Sequence, residues 1–390
     1  MIEVNRKQFT RALDLASAVV GKSSTIPILQ SMKVTANGAL RLEATNLDNC
    51  TCAELPYEGA AGNFLLPQPR MLRSAINQAG GDDVSVLPAD DRSIEVRSGR
   101  LGSKLLTMPV CDFPPLDRIG FEEFSATLGA AEFKQLARLV PAISQEETRY
   151  YLNGICVKRL DGWTYRFAAT DGHKLMIVDI PLPDAVGIIP DNTIIPRDWL
   201  TIVLARLAKA KEGARLTFGR MAVPNNAGPD LPLAPGGPRI ALQGDLDGIV
   251  YSVTGKLIDG QYPDYQRVVP TDTRYVVRVS RRELVQAISA LASLSFDKSF
   301  RAVKLTFPAG KLRCELFNVE LGTSTFDIDA EHNVAAGLEQ IGFNAKYLLA
   351  MCNSLTGEEM QLHLSAHDAP AIVTDPADTA FKGVIMPMRV

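Results

Sequence analysis

Apolar residues at Phe9, Leu13, Ala16 and Val20 fall on one face of a helix. The same spacing returns at Phe133, Leu136 and Val140 and again at Leu284, Ala287, Ile288 and Leu291. These segments, Phe9 to Val20, Glu132 to Val140 and Glu283 to Leu294, are each followed by a strand, a turn and a strand: Ala44 to Leu55, Ala168 to Ile180 and Leu316 to Ile328. Alternation in Leu40-Arg41-Leu42-Glu43-Ala44 and in Gln361-Leu362-His363-Leu364 marks half-buried strands. A second helix then follows in each copy, over Pro67 to Ala79, Pro196 to Lys209 and Asn344 to Ser354, before a closing apolar strand. Pro67 and Pro196 suit a first helical turn, and Asn344 suits an N-cap.

The pattern therefore occurs three times. The first two copies are offset by about 125 residues, Thr45 to Thr170, and the next by about 150, one ordinary domain apiece. The fold class expected is α+β, with three similar domains in series, each a sheet backed by two helices. Polar and turn-forming residues put the boundaries near Ser125 and Thr273, giving domains 1–125, 126–273 and 274–390. Proline, glycine and asparagine crowd Pro224 to Pro238, so 221–239 reads as a long exposed loop inside the second domain.

Hydrophobic residues make up 46% of the chain, enough for each domain to bury a core. Six scattered cysteines (Cys50, Cys52, Cys111, Cys156, Cys314, Cys352) form no CxxC pair, which fits a reduced cytoplasm and argues against a disulfide framework or a zinc site. Glu3, Arg6 and Lys7 interrupt the N-terminal segment, and no apolar run reaches the length of a membrane span, so a soluble, unprocessed protein with no membrane contact is expected.

The net charge of −3 hides an uneven distribution. On the six helices and their flanks, Arg6, Lys7, Arg11, Lys22, Arg70, Arg73, Lys134, Arg138, Arg197, Arg206, Lys209, Lys211, Arg281, Arg282 and Lys346 stand against Asp14, Glu132, Asp198, Glu212 and Glu283. Basic side chains also solvate ordinary helix exteriors, but six helices leaning one way in an acidic chain would give a shared surface suited to phosphates. With no base-reading element, such binding would ignore sequence. A domain of this size is about 35 Å across as a sphere; three in a ring leave a hole of about 5 Å, four about 15 Å and six about 35 Å. Duplex DNA is roughly 20 Å across, so a ring around it needs six domains, hence two chains joined head to tail.

Enzyme readings fail on spacing. His173 beside Asp171 has no nucleophile placed nearby. His363 and His367 have the spacing of a helical metal pair but sit in strand-like sequence, where they would stand about 13 Å apart. Gly99-Arg100-Leu101-Gly102-Ser103-Lys104 is too short between glycines for a phosphate loop, and no carboxylate cluster suits metal-assisted chemistry. No catalytic residue, metal or cofactor is expected.

Five ordered strings span the chain: Ile26-Pro27-Ile28-Leu29, Arg149-Tyr150-Tyr151-Leu152-Asn153-Gly154, Ala169-Thr170-Asp171-Gly172-His173-Lys174-Leu175, Asp259-Gly260-Gln261-Tyr262-Pro263-Asp264-Tyr265 and Met386-Pro387-Met388-Arg389-Val390. Together they resemble the bacterial sliding clamp, the β subunit of DNA polymerase III. The resemblance implies a ring-forming homodimer that encircles double-stranded DNA without catalysis, in the cytoplasm on the nucleoid. It would be opened by a clamp loader complex and would tether the polymerase III catalytic subunit and other replication or repair proteins through short linear peptides. The implied peptide pocket, between the second and third domains, comprises Leu152, Thr170, Gly172, His173, Lys174, Leu175, Pro263, Arg267, Val268, Asn344, Tyr347, Val384, Ile385, Met386, Pro387, Met388, Arg389 and Val390. An apolar cleft with a few fixed polar groups suits an extended peptide with hydrophobic anchors, and Met386 and Met388 suit several partners.

For DNA, Lys22, Arg149, Tyr150, Tyr151 and Arg197 match the family's contacts, and the helix charges add Arg73, Arg138 and Arg206. For the dimer interface, Arg100, Lys104, Leu106 and Met108 would face Leu294, Phe296 and Glu320. Most acids are missing around Glu320-Leu321-Gly322-Thr323-Ser324-Thr325, so apolar contacts should carry that interface. The same loss motivates an alternative, a clamp-fold adaptor or accessory copy that binds peptides without closing on DNA.

Overall fold

Helical spacing closes into helices near where the periodicity placed them, although α1 ends at Ala16 and leaves Val20 in extended backbone, and each repeat adds eight principal strands. The computed structural model describes residues 1–21, 23–90, 92–190, 192–224, 233–294, 302–318, 322–335 and 337–390. The first repeat contains β1 (Ile2–Asn5), α1 (Arg6–Ala16), β2 (Ser31–Ala36), β3 (Ala39–Thr45), β4 (Asn49–Pro56), β5 (Gly62–Pro67), α2 (Pro69–Ala79), β6 (Asp83–Asp90), β7 (Ser93–Ser98) and β8 (Leu101–Leu106). The second contains β9 (Ile119–Leu128), α3 (Ala130–Leu139), β10 (Gly154–Arg159), β11 (Thr164–Thr170), β12 (Lys174–Pro181), a two-residue β13 (Val186–Gly187), β14 (Thr193–Pro196), α4 (Arg197–Arg206), β15 (Ala214–Val223), β16 (Ala234–Asp245) and β17 (Val250–Lys256). The third contains β18 (Tyr275–Ser280), α5 (Arg281–Ser293), β19 (Ala302–Thr306), β20 (Lys311–Asn318), β21 (Gly322–His332), β22 (Gln340–Asn344), α6 (Ala345–Ser354), β23 (Glu359–Leu364), β24 (Ala371–Asp375) and β25 (Asp378–Ile385).

Helix starts follow capping chemistry. Asn5 accepts from the Lys7 and Gln8 amides, Ser280 from that of Glu283, and Asn344 from those of Lys346 and Tyr347. The first-turn proline of α2 is Pro69, not Pro67, which ends β5; Pro196 is the N-cap of α4 rather than its first turn. Both corrections come from strands that run directly into the helices.

The chain packs as two compact units. One comprises Met1–Lys134, Leu182–Pro190 and Ile195–Leu257; the other comprises Gln135–Pro181, Asp191–Ile194 and Ile258–Val390. In the first unit lie a four-stranded sheet, β1-β6-β7-β8, and a nine-stranded sheet, β13-β9-β15-β16-β17-β4-β3-β2-β5. Leu13 and Ala16 of α1 are fully buried there, and Trp199 of α4 donates from Nε1 to the Val253 carbonyl at 3.2 Å. The second unit is built on the twelve-stranded order β14-β10-β11-β12-β25-β24-β23-β18-β21-β20-β19-β22, against which α5 buries Leu284, Ala287, Ile288 and Leu291.

Sheets cross from repeat to repeat by one rule. The last strand of a repeat pairs antiparallel with the fourth strand of the repeat before it: β17 with β4, Thr254 opposite Cys50, and β25 with β12, Val384 opposite Leu175. Two corresponding strands lack that partner. Strand β8 ends the four-stranded sheet, and Gly322–Asp329 of β21 pairs only with β20 among the described residues.

The long loop expected at 221–239 is a correction. Strands β15 and β16 extend as a hairpin to Val223 and Ala234, with a register shift between Arg220 and Ala222. Pro235 and Pro238 are tolerated because β16 has passed the end of β17, whose pairing stops at Arg239, so no ladder hydrogen bond is forfeited on that side. Residues 225–232 lie outside the described residues.

Candidate functional site

The turn between β11 and β12 is fixed by its own side chains. Thr170 Oγ1 accepts from the Gly172 amide at 3.1 Å and donates to the Lys174 carbonyl at 2.8 Å, while Asp171 Oδ1 accepts from the His173 and Lys174 amides at 2.9 and 3.0 Å. Gly172 has φ +89°, a conformation that favours glycine, and Nη1 of Arg149 lies 2.8 Å from where a Cβ would stand. Lys174 is buried, paired with Asp171, and its Nζ sits 4.2 Å from the centroid of the Tyr347 ring. The exposed His173 imidazole stacks on the same ring at 5.9 Å and 19°. Tyr347 is thus the common platform for two residues of the turn.

Below the turn lies an apolar floor: Leu152, Cys156, Ala168, Leu175, Ile177, Ile194, Tyr262, Tyr265 and Val384, with Tyr151, Ile258 and Val269 packed at its edge. The Tyr262 hydroxyl accepts from the Thr170 amide at 2.9 Å, and the Tyr262 and Tyr265 rings meet edge to face at 6.3 Å. Burial pushes the Tyr262 hydroxyl well above its ordinary pKa, that of Tyr265 up to about 12 and the Cys156 thiol up to about 11. The floor stays neutral across physiological pH. The Tyr265 hydroxyl is buried without a partner among the described residues. Around the floor, Pro263 and Arg267 are exposed, Arg267 paired with Asp264 at 3.0 Å, and Val268 is 47% exposed.

The chain end borders the same region. Val384 and Ile385 are buried, and the Met386 amide donates to the His173 carbonyl at 2.9 Å. Pro387 then bridges to Phe343 and the Met388 amide donates to the Gly342 carbonyl at 2.7 Å. A Cβ on residue 342 would lie 2.4 Å from the Met388 carbonyl oxygen, so the tail lies directly against β22. Pro387, Met388, Arg389 and Val390, with Ile341, His367 and Asp368, enclose an open cavity of about 750 Å³.

Helix charges are more committed than the sequence suggests. Asp14 of α1 is shared by Arg73 and Arg206. Arg70 donates to the Ser17 carbonyl, Arg6 to that of Gly81 and Arg281 to that of Gly357. Arg138, expected to face DNA, turns inward. It is 8% exposed, bonded to the Ser354 carbonyl and Gln135, paired with Asp378, and 4.2 Å from the Phe381 ring centroid. Helical spacing placed it on the basic face, but its guanidinium turns inward to a carboxylate that sequence proximity does not reveal. Arg11, Lys134 and Arg282 stand exposed, Arg197 is half-buried, and Arg149 is paired with Glu146 beside an exposed Tyr150 and a half-buried Tyr151. Lys22 lies outside the described residues.

Two family models cover most of this chain: the central domain of the DNA polymerase III β subunit matches residues 127–264, and its C-terminal domain matches 266–389. The β sliding clamp of Caulobacter vibrioides (strain NA1000 / CB15N) is 31% identical over all of both chains, and that of Escherichia coli K12 is 28% identical over 99% of each. This chain belongs to the β sliding clamp family. Among solved sliding clamps, that of Bartonella birtlesii bound to griselimycin has 30% identity and a TM-score of 0.84, covering 100% of this chain and 99% of its own. Caulobacter crescentus pol III β has 29% identity and a TM-score of 0.85, with 100% of both chains covered.

Of the residues expected at a dimer interface, all but Met108 are exposed where described. Arg100 and Lys104 are exposed, Leu106 is 83% exposed, Met108 is half-buried and Leu294 is 47% exposed; Phe296 and Glu320 lie outside the described residues. Tyr262, Tyr265, Cys156, Ala168, Ile177 and Ile194 were absent from the expected pocket. The Asp259–Tyr265 string held the signal for the two tyrosines, whereas the strand residues show themselves only once β10, β11, β12 and β14 are aligned. His363, on β23, bonds to Thr374 Oγ1 at 2.8 Å while His367 lies beyond the strand, and no metal-binding cluster of histidine, cysteine or carboxylate occurs among the described residues.

Proposed function

We propose that two copies of this chain close head to tail into a six-domain ring around duplex DNA, acting as a replication processivity factor rather than a catalyst. The observation that carries this reading is the repeated joint. Strands β17 on β4 and β25 on β12 use one antiparallel arrangement, and the outer edges of β8 and of Gly322–Asp329 in β21, which carry no further strand among the described residues, would form a third. Tyr251 and Val253 of β17 are fully buried, whereas Leu101, Ser103 and Leu105, on the inward side of β8, are only half-buried. A main-chain edge with an incomplete core favours strand addition. Two such joints between two copies complete a closed, symmetric assembly.

In this reading the domains are 1–125, 126–273 and 274–390, and exposed Arg11, Lys134 and Arg282, with Arg73 and Arg206, supply a sequence-independent hold on phosphates. Lys22, Arg149, Tyr150, Tyr151 and Arg197 add to it. Arg138 does not. The turn Thr170–Lys174, the tyrosine floor and the tail form the groove for linear peptides of the polymerase III catalytic subunit, the clamp loader and other replication or repair proteins. The unpartnered Tyr265 hydroxyl supports this: a peptide carbonyl or side-chain amide would satisfy it.

The deciding measurement is native mass by light scattering, from micromolar to nanomolar chain, paired with retention on nicked circular DNA. A species of about twice the 42.3 kDa chain mass that stays on circles and leaves after linearisation supports the ring. A persistent monomer that binds peptides but slips from circles refutes it in favour of an adaptor.

A further inference from the structure

The turn that frames the peptide groove recurs in the first repeat as Thr45–Asn49, bond for bond. Thr45 Oγ1 accepts from the Leu47 amide at 3.0 Å and donates to the Asn49 carbonyl at 3.1 Å, as Thr170 does with Gly172 and Lys174. Asn46 Oδ1 accepts from the Asp48 and Asn49 amides at 3.2 and 2.7 Å, as Asp171 does from His173 and Lys174. The Lys256 amide donates to the Asp48 carbonyl at 2.9 Å, matching the bond from Met386 to His173. Beside this second frame lies a cavity of about 520 Å³ whose lining includes Arg41, Glu43, Cys50, Cys52, Leu116 and Arg118.

Strand register makes the correspondence residue-specific. Thr45 pairs with Cys50 and Glu43 with Cys52, as Thr170 pairs with Leu175 and Ala168 with Ile177. Glu43 therefore stands where the groove has Ala168, Cys50 where it has Leu175, and Cys52 where it has Ile177. Leu116 and Arg118 follow Phe113-Pro114 as Tyr265 and Arg267 follow Tyr262-Pro263.

We infer that this cavity is a closed copy of the peptide groove, and that Glu43 with Arg118 is the specificity determinant limiting each chain to one partner peptide. The inference rests on the peptide reading of the Thr170–Lys174 groove. The Glu43 side chain is 5% exposed and its carboxylate is held by Arg118 Nη2 at 2.6 Å. The Arg118 side chain is 64% exposed, so an apolar anchor entering here would cover the Glu43 carboxylate and shield it from its cation and from water, which costs more than one hydrophobic side chain returns. Arg41 with Glu54, Arg215 with Glu122 and Arg239 with Asp117 leave the other charged groups satisfied without a ligand. Leu47, at φ 78°, adds a side chain where Gly172 has none.

The test is calorimetric titration of the full-length protein with a synthetic pentapeptide carrying one glutamine and two leucine anchors. The wild type should take one peptide per chain. The variant E43A/C50L/C52I, which copies Ala168, Leu175 and Ile177 of the groove floor, should take two, with its fold checked by thermal melting. The single variant Glu43→Ala, which leaves both cysteines in place, should show a second and weaker site, and it decides the matter if the triple variant does not fold. Two peptides per wild-type chain, or one per chain in the folded variants, overturns the inference. No binding to wild type overturns the groove reading, and this inference with it.

Discussion

Replacing Arg138 with alanine tests whether a residue of the basic helices serves folding rather than DNA. Its side chain is 7% exposed against an Asp378 side chain that is 14% exposed. Truncation would leave that carboxylate without its cation. Removing one partner of a buried ion pair costs about 3–5 kcal/mol. Asp378 keeps an amide bond from Ala380 and a long contact from Thr356, at 3.1 and 3.4 Å, so the lower end, about 3 kcal/mol, applies. The lost contact with Phe381 is contained within that uncertainty. At about 2–4 °C per kcal/mol, the melting transition containing this residue should fall by about 6–12 °C. Urea titration should show an earlier midpoint with an unchanged slope. Retention of the folded variant on circular DNA at low temperature should match wild type, whereas Arg11→Ala should weaken retention without moving the melt. A melting shift below about 2 °C, accompanied by lost retention, would refute the buried-pair reasoning.

Tyr347→Ala removes the ring beneath both His173 and Lys174 and should weaken a labelled partner peptide about tenfold, roughly 1.4 kcal/mol, in an anisotropy titration that leaves DNA retention unchanged. Leu106→Lys puts a charge on the open edge of β8 and should shift the dimer midpoint to higher concentration; light scattering that shows no shift would remove β8 from the interface. Tyr262→Phe deletes the acceptor of the Thr170 amide and should cost about 1 kcal/mol in denaturant titrations. Burial, aided by Lys382, holds the His363 pKa below its ordinary value. The unfolded chain therefore takes up the proton first, so the contribution is full above about pH 6.5 and declines as pH falls toward the folded pKa. Wild type should lose stability over that window while His363→Gln shows a flatter profile.

Much of the fold is written locally, and the helices show why. Asn5, Ser280 and Asn344 cap helices whose apolar spacing already marks them, so each start is a short-range matter. The groove is half local: Thr170, Asp171 and Gly172 form one turn, and their hydrogen bonds follow from residue type and spacing. Its floor is not local, since Cys156, Ala168 and Ile177 become neighbours only after β10, β11 and β12 register. The inward pairing of Arg138 was not legible because helical periodicity reports which face a residue occupies, not whether a carboxylate some 240 positions later meets it. The hairpin of β15 and β16 was misread because prolines usually end strands, whereas here one strand has outrun its neighbour.

The joints between repeats are made by main-chain ladders, and a ladder has no preference for the side chains it carries. The pairing can therefore stay the same while the three repeats drift apart in sequence. The two intrachain joints are held by covalent continuity. In the proposed ring, only the open β8 edge must earn its lifetime from what projects beside it. Geometry and persistence would then be separately tunable: exchanging a few residues around Leu106 would change how often the ring opens without changing the size of the hole it leaves.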